Sequence, residues 1–164
     1  MYESLILKRL IAIGGFILFL DQATKWWIHS ILPYPSYHPY ENADKVIEII
    51  PDFFYLVYIG NTGAAWGIFS GYGFLLGIFS LFALLSIFYF RKHLELEYPF
   101  HQVCFGLVAG GIAGNLIDRF VHGYVVDFLD FWLPGYRWPA FNIADSAIVI
   151  GILSYVSYNL LFRP

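Results

Sequence analysis

The stretch FHQVCFGLVAGGIAGNLIDRF covers residues 100–120 and is apolar for most of its length. A helix needs about 20 mostly apolar residues to cross the hydrocarbon core of a bilayer. Gly110 and Gly114 lie four positions apart, so they form a small-residue face on which another helix can pack closely. The stretch ends with three polar or charged side chains, at Asn115, Asp118 and Arg119. It therefore predicts a transmembrane helix with a polar end.

Three further apolar stretches are long enough to span a membrane, at about 10–28, 65–90 and 143–162. The chain of 164 residues is 59% apolar and 13% charged, and its mean hydropathy is +0.64. Average globular domains are about 45–50% apolar and about 25% charged. This composition excludes a disordered chain, a coiled coil and a nucleic-acid binder, and the single cysteine excludes a disulfide-rich module. We expect one integral membrane domain over residues 1–164, mostly α-helical, with four transmembrane helices.

Basic residues beside the four predicted spans indicate their orientation. Lys8 and Arg9 precede the first span, Arg91 and Lys92 follow the second, and Arg163 ends the fourth. Lysine and arginine concentrate in short cytoplasmic segments next to membrane helices. An even number of spans places both termini on one side, so we expect cytoplasmic termini.

Two segments are expected on the outer side of the membrane, at about 30–62 and 121–142. The first contains β-branched and aromatic runs at 46–51 and 53–59, which are separated by a proline and predict short strands. Tryptophans near the inferred span ends fit an interfacial aromatic belt.

Ionisable side chains near lipid depth are costly and are therefore candidates for function. Asp21 and Lys25 lie four apart on the first span, and we favour an ion pair that anchors the helix over a direct chemical role. Asp118 has a comparable structural interpretation, as a salt bridge at the membrane boundary. At the start of the second span, Asn61 or Thr62 is interpreted as a helix cap.

Two more aspartates suggest a specific chemistry. Asp127 is surrounded by apolar and aromatic residues, which should raise its pKa. Asp145 follows Asn142 by three positions, as in a capping box, but it also begins an apolar run. Two carboxylates close together share one proton, so one can act as a base on water while the other acts as an acid. Capping and solvated-loop roles remain the structural alternatives for these residues.

Other catalytic patterns are missing from the sequence. It contains no HExxH, GxSxG or P-loop pattern, and its five histidines are scattered without metal-ligand spacing. We therefore expect no metal and no cofactor.

Five sequence blocks together resemble the bacterial lipoprotein signal peptidases, also called signal peptidase II. The blocks occur in that family's order and are DQATK (21–25), NTGAAWG (61–67), GNLIDR (114–119), VVDF (125–128) and FNIADS (141–146). The resemblance extends over essentially the whole chain. One mild departure is Trp66, where the family commonly has phenylalanine.

The resemblance implies an aspartic endopeptidase embedded in the bacterial inner membrane, with its active site near the outer surface. Such an enzyme cuts prolipoprotein signal peptides immediately before a cysteine that carries a diacylglyceryl group. The family's catalytic pair falls on Asp127 and Asp145. Its substrate-binding residues fall on Asn61, Asn115, Arg119 and Asn142. Supporting roles fall on Asp21, Lys25, Gly63 and Asp118.

The resemblance also implies a small extracytoplasmic β-cradle, with a loop or helix over the active site. We expect a monomer that contacts membrane lipids and a prolipoprotein substrate, and that binds no nucleic acid.

Two other functions use the same residues. A small proton- or cation-coupled transporter would use the carboxylates as an ion path, but it would need them near the middle of the bilayer. A non-catalytic assembly factor would use the aspartates only as helix caps, and a peptidase assay distinguishes it from an enzyme.

The predicted orientation can be tested by labelling a single cysteine. In a Cys104→Ala background, Asn42→Cys should react with a membrane-impermeant thiol reagent in intact spheroplasts, because residues 30–62 are expected outside. Protection of this cysteine until the membrane is permeabilised would reverse the orientation.

Overall fold

The computed structural model of the chain describes residues 3–32, 46–64 and 67–162. Within these residues there are four helices and one antiparallel sheet with strand order β1-β2-β3-β4. The elements along the chain are α1 (Glu3–Ile31), β1 (Val46–Ile50), β2 (Phe54–Asn61), α2 (Gly73–Tyr89), α3 (Pro99–Val121), β3 (Val125–Leu133), β4 (Tyr136–Phe141) and α4 (Ile143–Phe162).

Helix α3 lies at the centre of the helices and packs against α1, α2 and α4. Its glycines allow this close packing. A Cβ atom on Gly110 would lie 2.5 Å from the carbonyl oxygen of Gly14 on α1. On the other side, a Cβ atom on Gly111 would collide with the carbonyl oxygen of Ala144 on α4. The backbones of α1 and α4 therefore approach α3 more closely than any larger residue would permit.

The surface of the helices suits an apolar solvent. Helices α3 and α4 are both long and apolar enough to cross a membrane, while α2 is apolar but has 17 residues. Large apolar side chains on α4 are left uncovered, and Leu153 and Leu160 are 60% and 77% exposed. Exposed apolar surface of this extent is unfavourable in water and favourable in lipid.

The sheet is attached to the end of α1 by an apolar cluster. Ile28 of α1 and Leu32, the residue after this helix, pack with Tyr58 of β2 and with Val126 and Phe128 of β3. Successive side chains of a strand point to opposite faces. Asp127, between Val126 and Phe128, therefore points away from this cluster, towards the ends of α3 and α4.

The predicted strands at 46–51 and 53–59 are confirmed as β1 and β2, which pair in an antiparallel hairpin. Strand β3 extends well beyond the VVDF block, and β4 was not predicted. The prolines at 33–39, Trp66 and Arg163 lie outside the described residues.

The predicted start of the second helix is wrong. We expected this helix from about residue 65, but α2 begins at Gly73. Three residues between 67 and 71 have left-handed backbones, with φ of 71° at Gly67, 60° at Phe69 and 87° at Gly71. An α-helix cannot continue through such residues. The interpretation of Asn61 as a helix cap is also wrong, because Asn61 is the last residue of β2.

Candidate active site

The structure brings Asp127 and Asp145 together through one amide side chain. The Nδ2 atom of Asn142 donates a hydrogen bond of 2.8 Å to Asp127 Oδ1. The Oδ1 atom of Asn142 accepts a hydrogen bond of 2.8 Å from the backbone N–H of Asp145. Asn142 is fully buried, so neither bond competes with bulk water. The predicted cap at the start of α4 is confirmed, and the same side chain also holds the carboxylate of β3.

Two more amides donate hydrogen bonds to the carboxylates of Asp127 and Asp145. Asn61 Nδ2 donates to Asp127 Oδ2 at 2.9 Å, and Asn115 Nδ2 donates to Asp145 Oδ1 at 2.7 Å. Three of the four residues predicted to bind substrate therefore contact the carboxylates directly. Their first effect is to fix where the two carboxyl groups point.

Arg119 connects the site to the loop after β2. Its Nη2 atom donates to the carbonyl oxygen of Gly63 at 3.1 Å, and its Nη1 atom donates to that of Asn115 at 3.2 Å. Its Nε atom is buried and has no hydrogen-bond partner among the described residues. The guanidinium group is thus held in place by backbone carbonyls while its Nε–H remains unused.

Behind the carboxylate pair lies a buried ionic cluster of Asp21, Lys25 and Asp118. The ammonium nitrogen of Lys25 lies 2.8 Å from Asp21 Oδ2 and 2.8 Å from Asp118 Oδ2. The predicted Asp21–Lys25 ion pair is confirmed. Asp118 does form a salt bridge, but its partner is Lys25 on α1 rather than the adjacent Arg119.

The ionic cluster also holds the backbone beside each member of the carboxylate pair. Asp118 Oδ2 accepts the backbone N–H of Val126 at 3.0 Å, one residue before Asp127. Asp21 Oδ1 accepts the backbone N–H of Ala144 at 2.9 Å, one residue before Asp145. The same ion-paired cluster thus fixes both strand β3 and helix α4 where they carry the candidate catalytic groups.

Gln22 belongs to this cluster and was missed in the sequence. Its Nε2 atom donates to Asp118 Oδ1 at 2.9 Å and to Asp21 Oδ2 at 3.2 Å. Its position inside the DQATK block was the available signal. Gly114 is needed here too, because a Cβ atom at that position would collide with the carboxylate of Asp21.

Gly63 permits the turn that follows β2. A Cβ atom on Gly63 would lie 2.7 Å from the carbonyl oxygen of Ile68. The backbone N–H of Gly63 donates to Asn61 Oδ1 at 2.9 Å, which orients the Asn61 amide so that its nitrogen faces Asp127.

The environment of Asp127 favours a bound proton. Burial, and then the nearby charge of Asp145, raise the pKa of Asp127 to about 8, against hydrogen bonds from Asn61 and Asn142 that act in the opposite direction. The pair therefore retains one proton at neutral pH. Such a pair can take a proton from water with one carboxylate and donate a proton with the other.

Comparison with known proteins matches this arrangement to one family. The family model described as signal peptidase (SPase) II matches residues 13–161. The chain belongs to the signal peptidase II family. The lipoprotein signal peptidase of Desulforapulum autotrophicum is 41% identical, with coverage of 96% of this chain and 94% of the relative. That of Serratia marcescens is 39% identical, with coverage of 93% and 85%.

Two solved structures of bacterial membrane enzymes, determined by the in meso method, have the same fold. The one at 2.3 Å resolution is 33% identical, with a TM-score of 0.79 and coverage of 94% of this chain and 91% of the other. The one at 1.9 Å resolution is 35% identical, with a TM-score of 0.77 and coverage of 94% of both chains. Together with the exposed apolar helices, they identify this signal peptidase II family member as a membrane-embedded protein.

The raised pKa of Asp127 predicts a pH dependence of stability. The unfolded chain, with an ordinary pKa of 3.8, releases the Asp127 proton near pH 4, whereas the folded chain keeps it until about pH 8. This proton stabilises the fold at low pH, and the stabilisation is lost across that window, at up to about 1.4 kcal/mol per pH unit. The melting temperature in detergent should therefore fall less steeply with pH in Asp127→Asn than in the wild type.

Asp52→Asn is the matched control, because Asp52 is exposed on the turn between β1 and β2. Its slope should equal that of the wild type. Parallel slopes for the wild type and Asp127→Asn would show that Asp127 does not hold a proton in the folded chain.

Proposed function

We propose that this chain is an aspartic endopeptidase that removes signal peptides from prolipoproteins, with Asp127 and Asp145 as its catalytic pair. The observation that carries the proposal is the Asn142 side chain, which binds the carboxyl group of Asp127 and the backbone N–H of Asp145. The carboxyl group of Asp145 is oriented beside it by Asn115. Membership of the signal peptidase II family supports the substrate class. The hydrogen bonding and burial of the two aspartates support the aspartic mechanism.

The proposed reaction is hydrolysis of one peptide bond by water. The ionised member of the pair removes a proton from a water molecule as its oxygen attacks the carbonyl carbon of the substrate. The protonated member donates its proton to the amide nitrogen, the C–N bond breaks, and a carboxyl group and an amine are released. The pair ends with one proton and one negative charge, as it began, so no cofactor is consumed.

Arg119 and its unused donor support binding of the substrate backbone. A peptide carbonyl near the carboxylate pair needs a hydrogen-bond donor to stabilise the oxyanion that forms during attack. We assign this role to the guanidinium of Arg119, which is held by the carbonyl oxygens of Gly63 and Asn115 and lies near the charges of Asp127 and Asp145. The bond cut is the one before the diacylglyceryl-modified cysteine, whose acyl chains remain in the lipid beside the helices.

The proposed topology is a single four-span domain, as a monomer in the bacterial inner membrane, with both termini in the cytoplasm. In support, the site lies at the end of α3 and the start of α4, while exposed basic residues lie near the opposite ends of α1 and α2. Those residues are Lys8, Arg9, Arg91 and Lys92. With cytoplasmic termini, this order of helices supports a catalytic pair near the outer surface.

The transporter alternative receives no support from the positions of the acids. Asp118 lies in the last turn of α3, and Asp145 lies in the first turn of α4. Asp127 lies on a strand outside the helices. Carboxylates placed at one end of the helices do not form a path through the middle of a bilayer.

The proposal predicts the outcome of replacing each member of the pair. Asp127→Asn and Asp145→Asn should each lower the rate by about 100-fold or more, because an amide cannot transfer the proton. The double variant should be no slower than either single variant, since the two groups act as one unit. Cleavage of a diacylglyceryl-modified prolipoprotein by purified protein in detergent measures this.

Two controls make the experiment specific. Asp118→Asn removes a carboxylate of the ionic cluster and should retain part of the activity while its melting temperature falls. The unlipidated precursor should remain uncut by every protein. A folded Asp145→Asn variant with wild-type activity would rule out the aspartic mechanism.

A further inference from the structure

Lys25 uses its buried ammonium group for more than ion pairing. The side chain is 4% exposed, and an ammonium group has three N–H donors. Two of them are directed to Asp21 and Asp118, at 2.8 Å each. The third is directed to Asn115 Oδ1 at 3.0 Å. The pair with Asp21 lies within α1, and the pair with Asp118 already links α1 to α3, so the third contact needs a separate explanation.

The contact with Lys25 fixes which way the Asn115 amide faces. The amide oxygen accepts from the ammonium, so the amide nitrogen must point to the other side, where it donates to Asp145 Oδ1 at 2.7 Å. Asn142 Nδ2 also donates to Asn115 Oδ1, at 3.3 Å. The reversed amide would place its NH2 group against an ammonium and its oxygen against a carboxylate, and both contacts would be repulsive.

A positive charge at the amide oxygen also strengthens the bond on the other side. Hydrogen bonds in a chain polarise one another, and the effect is larger where the local dielectric constant is low. Here the chain runs from the ammonium through one amide to a carboxylate, and both Lys25 and Asn115 are buried. The N–H that reaches Asp145 is therefore a stronger donor than the same amide would be without Lys25.

We propose that Lys25 is a positioning residue for catalysis, which acts through Asn115 to direct a polarised amide N–H onto Asp145. This inference rests on the proposed function, because it assigns Lys25 to the orientation and charge of the catalytic pair. Lys25 itself does not touch the pair, and Asn115 lies between them. The ion pairs and the amide contact are then two separate uses of one ammonium group.

The proposal predicts a change in pH dependence as well as in rate. Without the polarised donor, the anionic form of the pair is less stabilised, so the pair keeps its proton to higher pH. The other charged groups that face the pair are Asp21 on α1 and Asp118 and Arg119 on α3. A defect that only reduces the folded fraction lowers the measured rate at every pH and leaves the shape of the profile unchanged.

The test uses a variant that keeps the charge of the cluster. Two carboxylates and one ammonium give Asp21, Lys25 and Asp118 a net charge of −1. Lys25→Met/Asp118→Asn leaves one carboxylate and no ammonium, which is also −1. The wild type is therefore the charge-matched reference. Asp118→Asn alone, with a net charge of 0, is the control for loss of the carboxylate, since it retains Lys25 and its contact with Asn115. Initial rates on the lipidated prolipoprotein in detergent, over a range of pH, provide kcat and KM for each protein.

We expect kcat of the double variant to be about tenfold or more below that of Asp118→Asn, with KM changed less than about threefold. Compared with the wild type, whose cluster has the same net charge, the alkaline limb of its profile should move to higher pH by about 0.5 unit or more. Adding Asn115→Ala should cost about tenfold in Asp118→Asn but almost nothing in the double variant, because Lys25 acts through Asn115.

Three results would overturn the inference. They are an unchanged kcat, an alkaline limb that does not move, and a cost of Asn115→Ala that is the same in both backgrounds. A double variant that fails to fold would show that Lys25 serves the fold itself, and the positioning role would be withdrawn. The proposed function fails separately, if the folded wild type leaves the lipidated precursor uncut.

Discussion

A carboxylate buried away from water must be matched by hydrogen-bond donors, by a cation or by a proton, and the candidate site is organised by this requirement. Asp21, Asp118 and Asp127 are each at most 3% exposed. The first two share the ammonium of Lys25, whereas Asp127 is held by the amides of Asn61 and Asn142. An unmatched buried charge would cost several kcal/mol, so these contacts form as a set. The paths of α1, α3, α4 and β3 at this end of the molecule follow from that set.

The two groups of carboxylates have different roles. Those of the ionic cluster hold the structure, and those of the candidate catalytic pair are placed for chemistry. The carboxylates of the ionic cluster share one ammonium and accept hydrogen bonds from the backbone, which fixes the chain at Val126 and Ala144. The catalytic candidates follow these residues directly, and their donors are neutral amides, which orient a carboxylate without supplying a full positive charge. The pair can therefore keep an exchangeable proton. A peptidase that works next to lipid, where water is scarce, needs such a combination of fixed geometry and one mobile proton.

Much of the fold could be predicted from local sequence patterns, and so could the residue types at the site. The spacing of Asp21 and Lys25 indicated their ion pair, and the β-branched runs indicated β1 and β2. The long-range contacts could not be predicted in this way. Asp21 accepts a hydrogen bond from the backbone of Ala144, 123 positions away, and Asp118 pairs with Lys25 on α1. Such contacts produce no periodic pattern in the sequence, since they depend on how closely the glycines of α3 allow α1 and α4 to approach. The late start of α2 could not be predicted for a different reason. Apolar residues continue through the turn at 67–71, and only the left-handed backbone angles there distinguish it from a helix.

The central claim is that Asp127 and Asp145 share one proton near neutral pH, and infrared spectroscopy of the protein with isotope-labelled aspartate carboxyl groups tests it most directly. The difference spectrum between the wild type and Asp127→Asn should contain the C=O stretch of one protonated carboxyl group, which persists to about pH 8 and then disappears. The same band should be lost in Asp145→Asn or shifted in pH, because the two groups are electrostatically linked. A spectrum at pH 6 in which the pair shows only ionised carboxylates would contradict the account.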